Sequence, residues 1–186
     1  MIAACDPEPA VSAQASRDFA WHARGIQVFT DYRAMLDFAR AQRAAFVTIP
    51  TPVPLHAAMH QAAIKRGLSV YLEKPPTLDP DELERMITRD SAAPRATTVG
   101  FNFIVQAERQ ALKQRLLDGE FGAIEHVSFF GLWPRTSGYF HRAGWAGRLM
   151  MNDRLTLDSG LTNAMAHYVH DSLFWAGTDA LFSWAA

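Results

Sequence analysis

An α/β fold is the class this sequence predicts: a parallel sheet covered by helices on both faces, followed by a second α/β unit. Three observations predict it. Over the first hundred residues short apolar runs alternate with amphipathic stretches, the pattern of strands and helices in a parallel sheet. Those elements are punctuated by proline and glycine, at Asp6-Pro7, Pro50 to Pro54, Gly67 and Pro75-Pro76. After residue 100 the alternation gives way to a charged helix, one long apolar strand and an irregular aromatic stretch.

Taken in order, Met1 to Cys5 reads as a buried strand that ends on Asp6-Pro7, where proline stops pairing. Residues 9–23 read as a helix closing near Gly25, Ile26–Phe29 as a brief strand, and Tyr32–Gln42 as a helix with Met35, Leu36 and Phe38 apolar. Ala44–Pro50 is a buried strand closed by Pro50-Thr51-Pro52-Val53-Pro54, and His56–Arg66 a helix stopped by Gly67. Leu68–Leu72 is a strand that runs directly into Glu73-Lys74-Pro75-Pro76. The next helix has the clearest start: Asp79 as cap, Pro80 at the first position, Glu82 three residues after the cap, then Leu83, Met86 and Ile87 on one face. Ala96–Phe101 closes the series as a strand.

Beyond it, Gln106–Asp118 reads as a helix ended by Gly119, Ala123–Trp133 as a long strand, and Pro134 to Asp153 as irregular. Leu161–Trp175 reads as a helix before Gly177, and Asp179–Ala186 as the opening of a further strand. A domain boundary falls near Gly100–Phe103, giving domains at 1–101 and 102–186.

Composition excludes several functions. The 186 residues are 49% hydrophobic and 20% charged, with 18 basic against 19 acidic side chains. That is too apolar and too neutral for a disordered chain. With no basic excess to neutralise phosphates, nucleic acid is not expected as a partner. Cys5 is the single cysteine, so neither an internal disulfide nor a cysteine-rich zinc site can form. The apolar runs fall short of the ~20 residues that span a bilayer, and no leader-like segment opens the chain. The expectation is a soluble, cytoplasmic globular protein without a membrane partner.

Ligands of a parallel α/β sheet sit at the carboxyl ends of its strands. Asp6, Thr51-Pro52, Glu73-Lys74-Pro75 and Asn102 occupy such ends. Two readings stand for Asp6: a turn or helix cap, or an acid that hydrogen-bonds the adenosine ribose of NAD. Two also stand for Lys74. It is either a surface ion pair with Glu73 or a constrained lysine that helps move the proton of a substrate hydroxyl. Asn163, His167 and His170 are spaced i, i+4 and i+7 and would share one helix face. That face is either solvated or an acid/base site. A metal site is the third option, since His56 and His60 also stand at i, i+4, but no recognisable ligand set accompanies them.

The ordered set of motifs resembles the Gfo/Idh/MocA oxidoreductases, the family of glucose–fructose oxidoreductase and inositol dehydrogenase. It comprises Val47-Thr48-Ile49-Pro50-Thr51-Pro52, His56, Gly67, Val70, Glu73-Lys74-Pro75, Val99-Gly100-Phe101-Asn102, Gly119-Glu120-Phe121-Gly122, Trp145-Ala146-Gly147-Arg148, and His167 ten residues before Gly177. The resemblance implies a Rossmann domain binding NAD or NADP, then an α/β domain with a mostly antiparallel sheet. It implies hydride transfer at a secondary alcohol of a sugar, polyol or related cyclic diol, and a homo-oligomer. It assigns the catalytic lysine to Lys74 and the histidine to His167, and places cofactor contacts at Asp6, Thr51, Pro52, His56, Glu73 and Lys74. Where the family has an aspartate, this chain has Asn163, which can position a substrate but cannot accept its proton. Trp133, Arg135, Tyr139, His141, Trp145 and His170 fall where family members line the substrate pocket. Asp6 tilts the cofactor towards NAD, because a carboxylate repels a 2′-phosphate.

No Gly-x-Gly-x-x-Gly occurs in the sequence. With the ribose acid at Asp6, that fingerprint would precede Met1 by its usual spacing of roughly 20 residues. The expectation is therefore an internal piece of a longer oxidoreductase, partial in both domains. The alternatives are a short paralogue that binds or scaffolds without a cofactor site, and a metal enzyme using His167 and His170.

Overall fold

The computed structural model describes residues 1–151, 154–156 and 158–184. The chain divides into two compact units, Met1–Val99 and Gly100–Ala186. In the first, strands and helices alternate: β1 Ala3–Cys5, α1 Pro9–Asp18, β2 Gln27–Phe29, α2 Tyr32–Ala41, β3 Phe46–Ile49, α3 His56–Ile64, β4 Ser69–Leu72, α4 Pro80–Ser91 and β5 Thr97–Val99. All pairings are parallel. They form two sheets, β1–β2 and β3–β4–β5, where one was expected. The pair and the triplet match the 3-2 and 4-5-6 parts of the doubly wound order.

The core lies between the three-stranded sheet and its helices. Val47 and Ile49 from β3, Val70 and Leu72 from β4, Ala63 and Ile64 from α3 and Met86 from α4 are all buried in it. β4 is central and carries the most deeply buried strand residue, Leu72 at 0% exposure. β3 alternates instead, with Phe46 and Thr48 outward, so it is half-buried rather than covered on both faces.

Local chemistry explains the boundaries. Asp79 caps α4 by accepting from the Glu82 amide at 3.0 Å, with Pro80 at the first position. Glu82 does not reach back to the cap as a capping box would. Its carboxylate accepts from Thr77 Oγ1 at 2.6 Å, and Thr77 Oγ1 takes the Asp79 amide at 3.2 Å. Gly67 ends the α3 segment at φ +70°, a left-handed conformation that glycine adopts without strain.

The second unit holds α5 Ala107–Leu117, a single helical turn α6 Ser137–Phe140, the antiparallel pair β6 Met150–Met151 and β7 Arg154–Leu155, and α7 Ala166–Ala176. Three expectations are corrected here. Residues 123–133 form no ladder among the described residues. The segment is apolar enough for a strand, but no described neighbour lies along it to complete the hydrogen bonds, and Phe130 and Leu132 stand 87% and 83% exposed. The helix expected from Leu161 begins at Ala166, because Gly160–Ala164 is a wider π-type turn closed by the Met165 amide on Gly160 O at 2.7 Å. Asp179 to Phe182 is turn and bend rather than strand. Asn152 and Asp153, in the stretch expected to be irregular, and Ala185 and Ala186, in the one expected to open a strand, lie outside the described residues, as does Leu157.

Candidate functional site

In the first unit the relevant side chains follow the carboxyl ends of β1, β3 and β4. After β1, Asp6 Oδ1 accepts from the Glu8 amide at 2.8 Å, the turn-cap geometry, and its own amide bonds Phe29 O at 3.1 Å. After β4, the Glu73 amide reaches back to Ile49 O at 3.1 Å, tying the segment to β3. The Glu73 carboxylate accepts from the Lys74 backbone amide at 3.0 Å, so it shapes the loop that presents Lys74. The Lys74–Pro75 peptide is cis.

His56 joins the two loops. It is 1% exposed, with Nδ1 2.9 Å from Pro75 O and Nε2 2.7 Å from Thr51 O. Both ring nitrogens therefore face backbone carbonyls, one after β3 and one after Lys74. The ring acts as a strut holding the Thr51-Pro52 segment against the Lys74-Pro75 segment. Thr51 Oγ1 lies 3.6 Å from Met59 Sδ on α3.

His60, one turn further along α3, belongs to a different cluster. Its Nε2 lies 2.8 Å from Thr97 Oγ1 and 3.4 Å from Asp90 Oδ1, and Thr97 Oγ1 donates to Asp90 at 2.5 Å. Burial pushes the His60 pKa below its ordinary value, with Asp90 partly opposing. Thr97 opens β5, so this cluster sits at the amino end of the sheet, away from the strand ends that carry Lys74.

The second unit gathers most of the residues expected to line a pocket. Arg135 lies over the rings of Trp133 at 4.1 Å and Tyr139 at 4.7 Å. Arg142 lies over Tyr139 at 3.7 Å and Trp145 at 4.7 Å. The result is an alternating run of three aromatic faces and two guanidiniums. Arg142 is absent from the sequence-derived set, although its positions three after Tyr139 and three before Trp145 were a usable signal. His141 instead turns Nδ1 to Ser137 O at 2.7 Å.

His167 and His170 stand on α7 among phenylalanines. His167 stacks on Phe103 with ring centres 4.3 Å apart and meets the edge of Phe101 at 6.0 Å. His170 stacks on Phe101 at 4.2 Å, and burial lowers its pKa. Asn163 is on the π-type turn, so the i, i+4 relation to His167 is not that of one regular helix. Its amide donates to Asp158, a residue for which the sequence offered no motif. α7 is clamped to α5: Arg109 pairs with buried Asp171, and Lys113 donates to the carbonyls of Phe174 and Gly177. Among the described residues no group of three His, Cys, Asp or Glu is placed to hold a metal ion.

Alternating parallel strands and helices, with Glu-Lys-Pro leaving the central strand of the triplet, define a nucleotide-binding α/β module of the doubly wound kind. The sequence matches the family described as "Oxidoreductase family, NAD-binding Rossmann fold" over residues 1–101, and the chain belongs to that family, Gfo/Idh/MocA. No curated protein sequence matches significantly. Among solved structures, the WlbA dehydrogenase of Bordetella pertussis, in complex with NADH and UDP-GlcNAcA, is similar over 96% of this chain and 47% of its own, at 26% identity and TM-score 0.77. The myo-inositol 2-dehydrogenase of Lactobacillus plantarum is similar over 67% of this chain and 35% of its own, at 25% identity and TM-score 0.56. The scyllo-inositol dehydrogenase of Lactobacillus casei, with NAD(H) and scyllo-inositol, gives the same coverages at 26% identity and TM-score 0.55. The chain thus spans about half the length of the WlbA structure, 47%.

Proposed function

We propose that the protein acts in NAD-dependent hydride transfer at a secondary alcohol carbon of a sugar, polyol or related cyclic diol. The observation that carries this reading is Lys74, presented at the carboxyl end of β4 by Glu73 and braced through His56, in a chain of the NAD-binding oxidoreductase family. The residues after β1, β3 and β4 fit a dinucleotide at its ribose and nicotinamide ends: Asp6 as a ribose acceptor, then Thr51, Pro52, Glu73 and Lys74, with buried His56 behind them holding the loops together rather than touching the cofactor. The pyrophosphate's glycine turn is not among these 186 residues. Asp6 favours NAD over NADP. When bound, NAD supplies the hydride acceptor for oxidation or the donor for reduction.

The chain's own groups do the rest. Lys74 hydrogen-bonds the substrate hydroxyl and takes or returns its proton. His167 serves as the second acid/base group, with its ring held against Phe103. Asn163 positions the substrate, since an amide carries no exchangeable charge. Trp133, Tyr139 and Trp145 offer ring faces to a sugar, Arg135 and Arg142 supply positive charge, and His170 completes the lining.

That combination suits an anionic sugar better than a neutral inositol. The coverage points the same way, 96% of the chain against the UDP-GlcNAcA-bound WlbA and 67% against the inositol dehydrogenases. The full protein is further proposed to be a cytoplasmic homo-oligomer in which residues 102–186 contribute to a mostly antiparallel sheet. Turnover of UDP-GlcNAcA, myo-inositol and simple diols, followed by nicotinamide absorbance with NAD+ and NADP+, tests the substrate class. Under the best of these conditions Lys74→Ala is expected to lose about 10²–10⁴-fold in kcat. Retained turnover in that variant would remove Lys74 from the chemistry.

A further inference from the structure

A carboxylate stands directly behind Asn163. Asp158 Oδ1 accepts from the Asn163 amide nitrogen. Its Oδ2 accepts from the Gly147 backbone amide at 2.7 Å and from Arg142 Nη2 at 3.4 Å. The Asp158 side chain is 4% exposed, so these donors replace the water an aspartate would otherwise hold. An ionised carboxylate only accepts, which decides the orientation of its partner: Asn163 turns its NH2 towards Asp158 and keeps the carbonyl as its acceptor end. Gly147 is held at φ +68°, and a Cβ there would lie 2.6 Å from the Phe140 ring. Only glycine lets this backbone amide meet Asp158 beside that ring.

We propose that Asp158 is the positioning residue for Asn163, and that the Asp158–Asn163 pair supplies the negative charge that the family's aspartate supplies as a single side chain. This rests on the reading of Asn163 as part of the substrate site. The amide is polarised by a buried charge one hydrogen bond away, so its carbonyl is a stronger acceptor than that of an isolated asparagine. The same carboxylate holds Arg142, whose guanidinium covers Tyr139 and Trp145. One group therefore sets both the Asn163 amide and one end of the aromatic–arginine run.

The proposal changes what an aspartate at position 163 should do. Asn163→Asp sets two carboxylates in hydrogen-bond contact, an arrangement that holds only when they share a proton. The remedy is to exchange the partners. Asp158→Asn and Asn163→Asp as single variants, and the double variant that carries both, are compared in the full chain under the assay conditions of the Lys74→Ala test. Each single variant is expected to lose about ten- to a hundredfold in kcat/KM. Asn163→Asp should also gain a titration above the ordinary aspartate range. The double variant should recover most of the loss and return to a single-carboxylate pH profile.

Two measurements need no turnover. The side-chain amide resonance of Asn163 should move in Asp158→Asn while the backbone spectrum stays folded. The unfolding temperature should fall in both single variants and recover in the double. A double variant no better than the worse single one, or an Asn163 resonance that does not move, overturns the proposal. A fully active Lys74→Ala would overturn the catalytic reading alone, because the resonance and the unfolding temperatures report on the pair itself.

Discussion

At the scale of single residues, the informative groups are those whose partners decide between two chemistries. Lys74 stood between an ion pair with Glu73 and a catalytic lysine. The Glu73 carboxylate accepts from the Lys74 backbone amide, so the acid shapes the loop. His56 resembled a cofactor contact from its motif, but its nitrogens face two backbone carbonyls. No sequence pattern announces that, because the acceptors belong to segments 5 and 19 residues away. His60 and His170 give a pH prediction. Burial lowers the pKa of both in the folded chain, so the native state binds a proton less readily than the unfolded one. Their contribution to stability is complete above the ordinary histidine value of about 6.5 and is lost as pH falls below it. Unfolding free energies measured from pH 7.5 to 5 should drop with a limiting slope of about 1.4 kcal/mol per pH unit for each histidine. His60→Gln should flatten that drop; an unchanged slope would mean that His60 is already charged when folded.

At the scale of elements, boundaries with local causes were legible in the sequence. Asp79-Pro80 opens α4 and Gly67 closes the α3 segment, since a cap and a left-handed residue act within a turn of chain. Two elements depart from that reading, one for want of a described pairing partner and one through a local cap. Residues 123–133 have strand composition but no described ladder. The Asn163–His167 spacing fitted one helix, yet Ser159 and Thr162 build a capping box that opens into the π-type turn. The His56 strut belongs to this scale as well, because it braces the loops after β3 and β4. His56→Ala removes the ring lodged between two inward carbonyls, the N–H donor to one of them included, and opens a cavity, and should cost about 2–4 kcal/mol of stability. Chemical denaturation measures this directly. A loss below about 0.5 kcal/mol would mean that surface water takes over both carbonyls.

At the scale of the whole chain, two predictions follow from surface and composition. Phe130 and Leu132 are 87% and 83% exposed in a segment that forms no ladder among the described residues, and Phe46 is 59% exposed on β3. Apolar side chains beside unpaired backbone favour association. The 186-residue chain should therefore sediment as more than a monomer at micromolar concentration, and Leu132→Glu should shift it towards monomer. A monomeric parent would sink this. NADH should bind this chain weakly, because no glycine turn in its sequence cradles the pyrophosphate. A fluorescence titration with micromolar affinity would contradict the argument. By itself the sequence determined the alternating parallel α/β class, the family, and the motif residues Lys74, Asn163 and His167, because periodicity, caps and short motifs are encoded within a few residues of one another. Only the tertiary structure decided that the parallel strands fall into two sheets, that His56 is a strut, that Arg142 joins the aromatic run and that Asp158 stands behind Asn163. Each of those rests on a hydrogen bond or ring contact that folding alone brings within reach.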